Sequence, residues 1–147
     1  LYQCWGIMTV INMDSLTGHN IVDTENRDEM MSDLADLHAR TPMRTHTVGG
    51  NRHILMMFET AAKFNCDMIV MYDDIGCKGM AGCQGLLEEE FRKHPEFHIM
   101  WMPHALMDCR TVPTAEARKV VNDYMTTVLH EEPVDPSLVD FDDSEGW

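Results

Sequence analysis

CDMIVMYDDIGC, residues 66–77, is the stretch that decides the fold. Four consecutive apolar residues, Met68 to Met71, follow Asp67. After Tyr72 come the acidic pair Asp73-Asp74 and then Ile75 and Gly76. An unbroken apolar run of this length, without alternation of apolar and polar residues, is typical of a strand that is covered on both faces, as in parallel sheets. We therefore predict a buried strand over Asp67–Asp73.

Two further apolar runs predict strands on either side of this one in the chain. The first begins at Trp5 or Ile7 and ends at Asn12 or Met13, and the second spans Phe97–Met102. Apolar residues recur at helical spacing in the segments between and after the strands, which are Glu25–Arg40, Ile54–Ala62, Leu86–His94 and Thr114–Leu129. This order predicts an α/β fold with three layers, an open, doubly wound parallel sheet between helices.

Composition excludes several classes of partner. The chain carries 25 acidic and 11 basic residues, for a formal net charge of −14, which repels phosphate backbones and anionic membrane surfaces. We therefore expect neither nucleic-acid nor membrane binding, and no apolar stretch approaches the ~20 residues of a membrane span. Five cysteines, an odd count, and the lack of an Asn-X-Ser/Thr sequence favour a reducing, cytoplasmic location.

The chain divides into a predicted domain and a predicted tail. We expect residues 1–131 to form a single α/β domain and residues 132–147 to be an acidic, proline-broken segment on the surface. The sequence lacks a starting methionine and opens almost directly into a predicted strand. We therefore expect the domain to be part of a longer subunit.

Ligands of such sheets bind beyond the carboxyl ends of the strands, which directs attention to the glycine-rich segment Asp73–Gly85. Its glycines let the backbone approach a ligand, and Lys78 with a following helix would favour the thiolate form of Cys77. The five-residue gap between Cys77 and Cys83 is looser than a Cys-x-x-Cys pair, so this segment alone does not complete a four-ligand metal site. A metal role and a flexible glycine loop with unliganded thiols both remain open.

The other two predicted strands end in loops of their own, Asp14–Gly18 and Pro103–Arg110. Ser15 and His104 lie there, and they are the nearest candidates for contacts with a substrate. Cys66 precedes a strand, and we expect it to be a core residue.

The chain resembles the carboxy-terminal domain of subunits of the 2-hydroxyacyl-CoA dehydratase and benzoyl-CoA reductase family. The resemblance runs from about Gly6 to Leu129 and corresponds to the last third or so of a family subunit. The segments that carry it, in the family's order, are Ile7–Asp14 with Gly18 and Val22-Asp23, Arg52, Ala62–Val70, Gly76-Cys77, Asp108-Cys109-Arg110 and Glu116-Ala117-Arg118 with the helix to Leu129.

The resemblance implies a flavodoxin-like domain that supplies one cysteine to an iron–sulfur cluster, of the 4Fe-4S type, shared with earlier domains. It places that role on Cys77 first and on Cys83 second. It further implies a CoA-thioester substrate, a second homologous subunit and an ATP-dependent iron–sulfur activator that donates single electrons. Dehydration and ring reduction both remain open, and the acyl group is not specified. The alternatives are a non-catalytic interaction or regulatory domain with unliganded cysteines, and a small zinc-binding protein.

Overall fold

The structure is a computed structural model that describes residues 2–12, 22–40, 52–105, 108 and 110–141. The chain forms two compact units, one of Val10–Asn65 and the other of Leu1–Thr9 with Cys66–Trp147. No helix of the described residues is long and apolar enough to cross a membrane. In chain order the elements are α1 (Tyr2–Trp5), α2 (Arg27–Ala39), α3 (Arg52–Lys63), β1 (Met68–Asp74), α4 (Lys78–Phe91), β2 (His98–His104) and α5 (Thr114–Asp123), with a π-helical turn at Tyr124–Val128 and a 3-10 turn at Pro136–Leu138.

The unit Val10–Asn65 contains the predicted helices α2 and α3. Helix α2 begins after Asn26, whose side-chain oxygen accepts the backbone N–H groups of Asp28 and Glu29. None of its residues is buried, so the apolar stripe predicted for it does not enter a core. Helix α3 is more clearly amphipathic, and its buried positions include the predicted Ile54, Met57, Phe58 and Ala61.

A β–α–β arrangement forms the centre of the other unit. Strands β1 and β2 pair in parallel from Met68 opposite His98 to Asp74 opposite His104, and α4 connects them. The two central strand predictions and their parallel pairing are therefore confirmed, with boundaries shifted by one or two residues. The coarse assignment to the α/β class agrees with this small open sheet and its flanking helices.

Helices flank the sheet because the apolar side chains of its strands point to both of its faces. Met100 is fully buried and clusters with Val121 of α5. Its neighbour Trp101 packs against Phe91 of α4, with 5.9 Å between the centroids of the tilted rings. Successive strand residues point to opposite faces. The unbroken apolar pattern thus has the predicted cause, which is cover by helices on the two sides.

Helix α4 begins eight residues earlier than predicted, at Lys78 instead of Leu86. The sequence prediction gave the glycines too much weight, since each costs a helix only about 1 kcal/mol relative to alanine. Two features offset this cost. Cys77 caps the first turn, and Leu87 is buried to 1 % exposure. The predicted flexible glycine loop is therefore wrong from Lys78 onward.

The predicted first strand is wrong over residues 7–12, and Met13 lies outside the described residues. Residues Tyr2–Trp5 form a helical turn, which Gly6 ends with φ +70° and a hydrogen bond from its N–H to the carbonyl of Tyr2. Within residues 7–12 the chain pairs with no strand, and Met8 is 69 % exposed. An apolar run becomes a strand only where a neighbouring strand accepts its hydrogen bonds.

The described part of the predicted tail, residues 132–141, packs more closely than its composition indicates. The N–H of Val134 donates to the carbonyl of Cys4 at 2.7 Å, and the amide of Asn122 donates to the carbonyl of Val139 at 2.8 Å. Val139 also packs against the buried cluster around Met100. The segment therefore follows the surface of the strand-containing unit and contributes apolar contacts to it.

Candidate functional site

The carboxyl ends of β1 and β2 bring three polar residues, Asp74, Cys77 and His104, to one edge of the sheet. Asp74 and His104 are the last residues of their strands and lie opposite each other in the register. The N–H of Ile75 donates to the carbonyl of His104 at 3.2 Å, which holds the start of the following turn against β2. The N–H of Cys77 donates to the carbonyl of Asp74 at 2.8 Å, which closes that turn.

The carboxylate of Asp74 is held by the turn that it begins. Its Oδ1 accepts the N–H of Gly76 at 2.9 Å, the local bond that favours Asp at the start of a turn. A Cβ on residue 76 would lie 3.3 Å from that oxygen, so the close approach depends on Gly76. Because Oδ1 is occupied, Oδ2 faces the imidazole of His104, with 3.8 Å between Oδ2 and Nδ1.

The imidazole of His104 has two neighbours at the sheet edge. Besides the Asp74 carboxylate, the ring of Tyr72 meets it edge to face, with 5.5 Å between centroids. The His104 side chain keeps 43 % exposure, whereas that of Asp74 keeps 19 %. The arrangement presents a histidine to solvent or ligand with a less exposed carboxylate behind it.

Cys77 lies at the junction between the turn and α4. Its Sγ accepts the N–H of Met80 at 3.4 Å and so caps the helix in the way that serine or aspartate commonly does. The side chain is half-buried. A sulfur at this position faces the positive end of the helix dipole, a setting that suits an anionic thiolate ligand.

Cys83 lies within α4 and not in a loop. Six residues along a helix correspond to about 9 Å of rise and to a different face of the helix. Metal–sulfur bonds are about 2.3 Å long, so the structure does not bring Cys77 and Cys83 to one ion. Both thiols are free and half-buried.

The residues present fit one ligand of a shared cluster and do not form a self-contained metal centre. Among the residues that the structure describes, no three His, Cys, Asp or Glu side chains come together in a way that could hold a metal ion. Cys77 has the chemistry and the position of a single thiolate ligand. A four-ligand site that included Cys77 would need ligands from outside the described residues as well.

The loop after β2 is described only in part. Asp108 and Arg110 form a two-pronged ion pair, Nε to Oδ1 and Nη2 to Oδ2, each at 2.8 Å. This guanidinium, helped by the Arg110 N–H, holds the pKa of the Asp108 carboxyl below its usual value. Cys109 and Ser15 lie outside the described residues.

A separate cavity of about 180 Å³ opens beside α5 in the same unit. The side chains of Trp5, Asn122 and Arg118 in its lining are engaged in contacts of the fold. Asn122 accepts the indole N–H of Trp5 at 2.8 Å, and the Arg118 guanidinium lies over the ring of Phe141, 5.5 Å from its centroid. We therefore attribute this cavity to the packing of α1 and the carboxy-terminal segment on α5. Its lining residues are Cys4, Trp5, Met102, Thr114, Ala117, Arg118, Val121 and Asn122.

Sequence reasoning selected Cys77 and His104 but missed Asp74 as a partner of His104. The signal was present as Asp74-Ile75-Gly76, an aspartate two residues before a glycine, which is typical of a turn that fixes the aspartate side chain. The register that places Asp74 opposite His104 could not be read from either strand alone.

Comparisons with known proteins add no assignment to this geometry. No protein-family model matches the chain, and neither a curated protein nor a solved structure matches it. The family resemblance therefore stays a prediction based on the ordered segments of the sequence.

Proposed function

We propose that this chain is the cysteine-bearing domain of an iron–sulfur enzyme that acts on a CoA thioester, with Cys77 as one cluster ligand. The observation that supports the proposal is the position of Cys77, directly past the carboxyl end of a parallel strand and at the amino end of α4. Ligands of open α/β sheets bind at this edge. The resemblance places a cluster-ligating cysteine at the same residue.

The finer fold belongs to the same proposal. We infer a doubly wound, flavodoxin-like sheet of which β1 and β2 are two strands. In its support, β1 and β2 are parallel, a helix connects them, and each contains at least four consecutive apolar residues, Met68–Met71 in β1 and Ile99–Met102 in β2. A parallel pair of this kind is typical of a larger sheet that is covered on both faces.

When bound, the cluster would supply single electrons and a Lewis acid for the thioester or for the oxygen beside it. The residues of this chain would hold the cluster and orient it at the sheet edge. Cys77 would donate its thiolate, with the amino end of α4 stabilising the negative charge. Gly76, which has no side chain, would let a bulky inorganic group approach the turn.

The proposed reaction requires partners that supply the remaining ligands and the electrons. We propose a second homologous subunit, an ATP-dependent iron–sulfur activator and a cytoplasmic location. Tyr72 and Ile75 are 57 % and 63 % exposed at the sheet edge, where another domain or subunit would cover them.

The same exposed side chains favour the alternative, a non-catalytic interaction domain with unliganded cysteines. Iron and acid-labile sulfide, measured in the complete protein after anaerobic purification, separate the two. We expect both elements in cluster stoichiometry, together with turnover of 2-hydroxyacyl-CoA or aryl-CoA thioesters once the activator and ATP are added. A complete protein with neither iron nor turnover would favour the interaction domain.

A further inference from the structure

The two outer edges of the β1–β2 sheet, one along each strand, present different backbone groups. The N–H of His98 donates to the carbonyl of Asp67 at 3.0 Å, and the N–H of Ile75 donates to the carbonyl of His104 at 3.2 Å. In a parallel pair, the backbone groups of alternate residues face the neighbouring strand and those between them face away. The outward-facing positions are therefore Met68, Val70 and Tyr72 in β1, and Ile99, Trp101 and Pro103 in β2.

The outer edge of β2 does not suit a further strand. The backbone of Ile99 forms a hydrogen bond with the hydroxyl of Tyr124. Pro103, at the other end of the edge, has no N–H to donate, and proline of this kind commonly protects an edge strand from pairing. Trp101 is the outward position between them, and one residue does not support a ladder of hydrogen bonds.

The outer edge of β1 has neither kind of protection. The strand pairs with β2 without a bulge from Met68 to Asp74, and it contains no proline. Among the residues that the structure describes, no backbone hydrogen bond reaches the outward groups of Met68, Val70 or Tyr72. The side chain of Tyr72 is 57 % exposed, so solvent reaches this side of the strand. A regular strand with such a row of N–H and C=O groups is a template for another strand.

Acidic residues at both ends of this edge decide which strand fits it. Asp67 is exposed and precedes β1, and Asp73 lies near its carboxyl end. A second copy of the chain is disfavoured, because the antiparallel pairing that uses all three outward positions is centred on Val70. That register places Asp67 of each copy opposite Asp73 of the other, and like charges directly opposite each other destabilise a pair of strands.

We propose that the outer edge of β1 binds an extended, basic segment of another protein as a third strand of the sheet. Its backbone would pair with the outward groups of β1, and Lys or Arg at its two ends would lie beside Asp67 and Asp73. Alternate residues of the segment would be apolar, because Val70 shares its face of the sheet with the buried cluster around Met100. Neither Cys77 nor a cluster takes part in this binding, which therefore goes beyond the proposed function.

A synthetic peptide tests the edge directly. The probe has about seven residues, the length of an ordinary strand, with valine at alternate positions and lysine at both ends. Amide exchange of the full chain is followed by NMR with and without the peptide. We expect the N–H groups of Met68, Val70 and Tyr72 to exchange about 10-fold or more slowly when the peptide is bound. The N–H of Trp101, on the other edge, should be unaffected.

Two control peptides separate backbone pairing from charge. A peptide with N-methyl groups on the amides that face β1 keeps its charge and its side chains, and we expect it not to bind. A peptide with glutamate in place of lysine keeps its backbone, and we expect its affinity to be about 10-fold lower or less, because its ends meet Asp67 and Asp73. Binding of the lysine peptide should weaken as salt is added.

Two variants of the chain test the same edge from the other side. Y72P removes an outward N–H and no bond to β2, whereas Y72A removes the same ring and keeps the N–H. We expect Y72P to bind the lysine peptide about 5-fold or more weakly than Y72A, as for the loss of a hydrogen bond together with its geometry. Thermal melts establish that both variants are folded, and the N-methylated peptide retains the test if Y72P is not.

Several results would overturn the proposal. Slow exchange at Met68, Val70 and Tyr72 in the chain alone would mean that the edge is already covered, by the chain itself in a monomer or by a second copy in a dimer, and sedimentation distinguishes these. Equal binding of the lysine and glutamate peptides would remove the basic partner. The absence of binding at about 1 mM lysine peptide, a concentration that detects even weak complexes, would remove the docking edge. Iron content and turnover enter none of these measurements, so the proposed function stands or falls separately.

Discussion

The two ends of the β1–β2 sheet carry the same kinds of side chain and arrange them differently. Each end has a cysteine, an aspartate and a histidine, namely Cys66, Asp67 and His98 at the amino end and Cys77, Asp74 and His104 at the carboxyl end. At the amino end the backbone N–H of His98 donates to the backbone carbonyl of Asp67 at 3.0 Å. Among the described residues, the side chains of Asp67 and His98 form no ion pair with each other. At the carboxyl end the two side chains face each other.

The difference shows that residue type alone does not make a site. A turn beginning at Asp74 fixes one carboxylate oxygen, and the start of α4 fixes the cysteine sulfur. The amino end is preceded by Asn65, with φ +51°, and its aspartate and histidine side chains are exposed. The two ends are separated by seven residues of strand, or roughly 20 Å at ~3.3 Å per residue. They therefore serve as internal controls for each other.

The largest difference between the ends should come from their cysteines. In the complete enzyme we expect C77S to remove cluster iron and to abolish turnover. Serine is itself a good helix cap, so α4 should keep its first turn and the loss should report on the sulfur. We expect C66S to retain iron and turnover, with a loss of stability of about 1 kcal/mol or less, as for a small half-buried residue.

Iron analysis, activity and a thermal melt of both variants make this measurement. If C77S kept full iron content and activity, the cluster assignment would be wrong and the non-catalytic domain would be the better proposal. If C66S alone lost iron, the ligand would lie at the amino end and the comparison would be reversed.

A smaller difference should come from the aspartates. We expect D74A to lower the free energy of unfolding by about 0.5–1.5 kcal/mol, because Oδ1 of Asp74 accepts the N–H of Gly76 at 2.9 Å. D67A should lower it by less, because the Asp67 side chain is exposed and its backbone carbonyl still accepts the backbone N–H of His98. Urea unfolding tests this, and equal losses in the two variants would remove the special status of the carboxyl end.

The sequence was sufficient to predict β1, β2 and the helix α3, which buries an apolar face. Asp67–Asp73 and Phe97–Met102 were predicted within two residues because four or five consecutive apolar side chains need cover on two faces. The run at residues 7–12 has similar composition and forms no strand, because strand formation also needs a partner that the run itself does not encode. Sequence patterns therefore predict burial better than they predict pairing.

The positions of the candidate residues could be predicted from the sequence only in part. Cys77 and His104 lie at the same edge of the sheet, because parallel strands place their carboxyl ends together. Cys83 was grouped with Cys77 because glycines at every third position indicate a loop, whereas the capped, partly buried segment forms α4. Asp74 was missed because its partner is 30 residues away and depends on the register.

The smallest expected effects come from two glycines that flank this geometry. Gly76 lies in the turn, where a Cβ would approach Oδ1 of Asp74 to 3.3 Å, a distance shorter than ordinary van der Waals contact. Gly82 lies on the exposed side of α4, where a Cβ would meet nothing within 4 Å. The same substitution by alanine should therefore have opposite signs at the two positions.

We expect G82A to raise the free energy of unfolding by about 0.5–1 kcal/mol, because alanine favours the helix and restricts the unfolded chain. We expect G76A to lower it by a similar amount, about 0.5–1 kcal/mol, because the carboxylate must move from its hydrogen bond with the residue 76 N–H. Urea unfolding of the two variants measures both effects. A G76A variant that is as stable as G82A would mean that the turn does not fix Asp74, and the structural basis for distinguishing the two ends of the sheet would then rest on Cys77 alone.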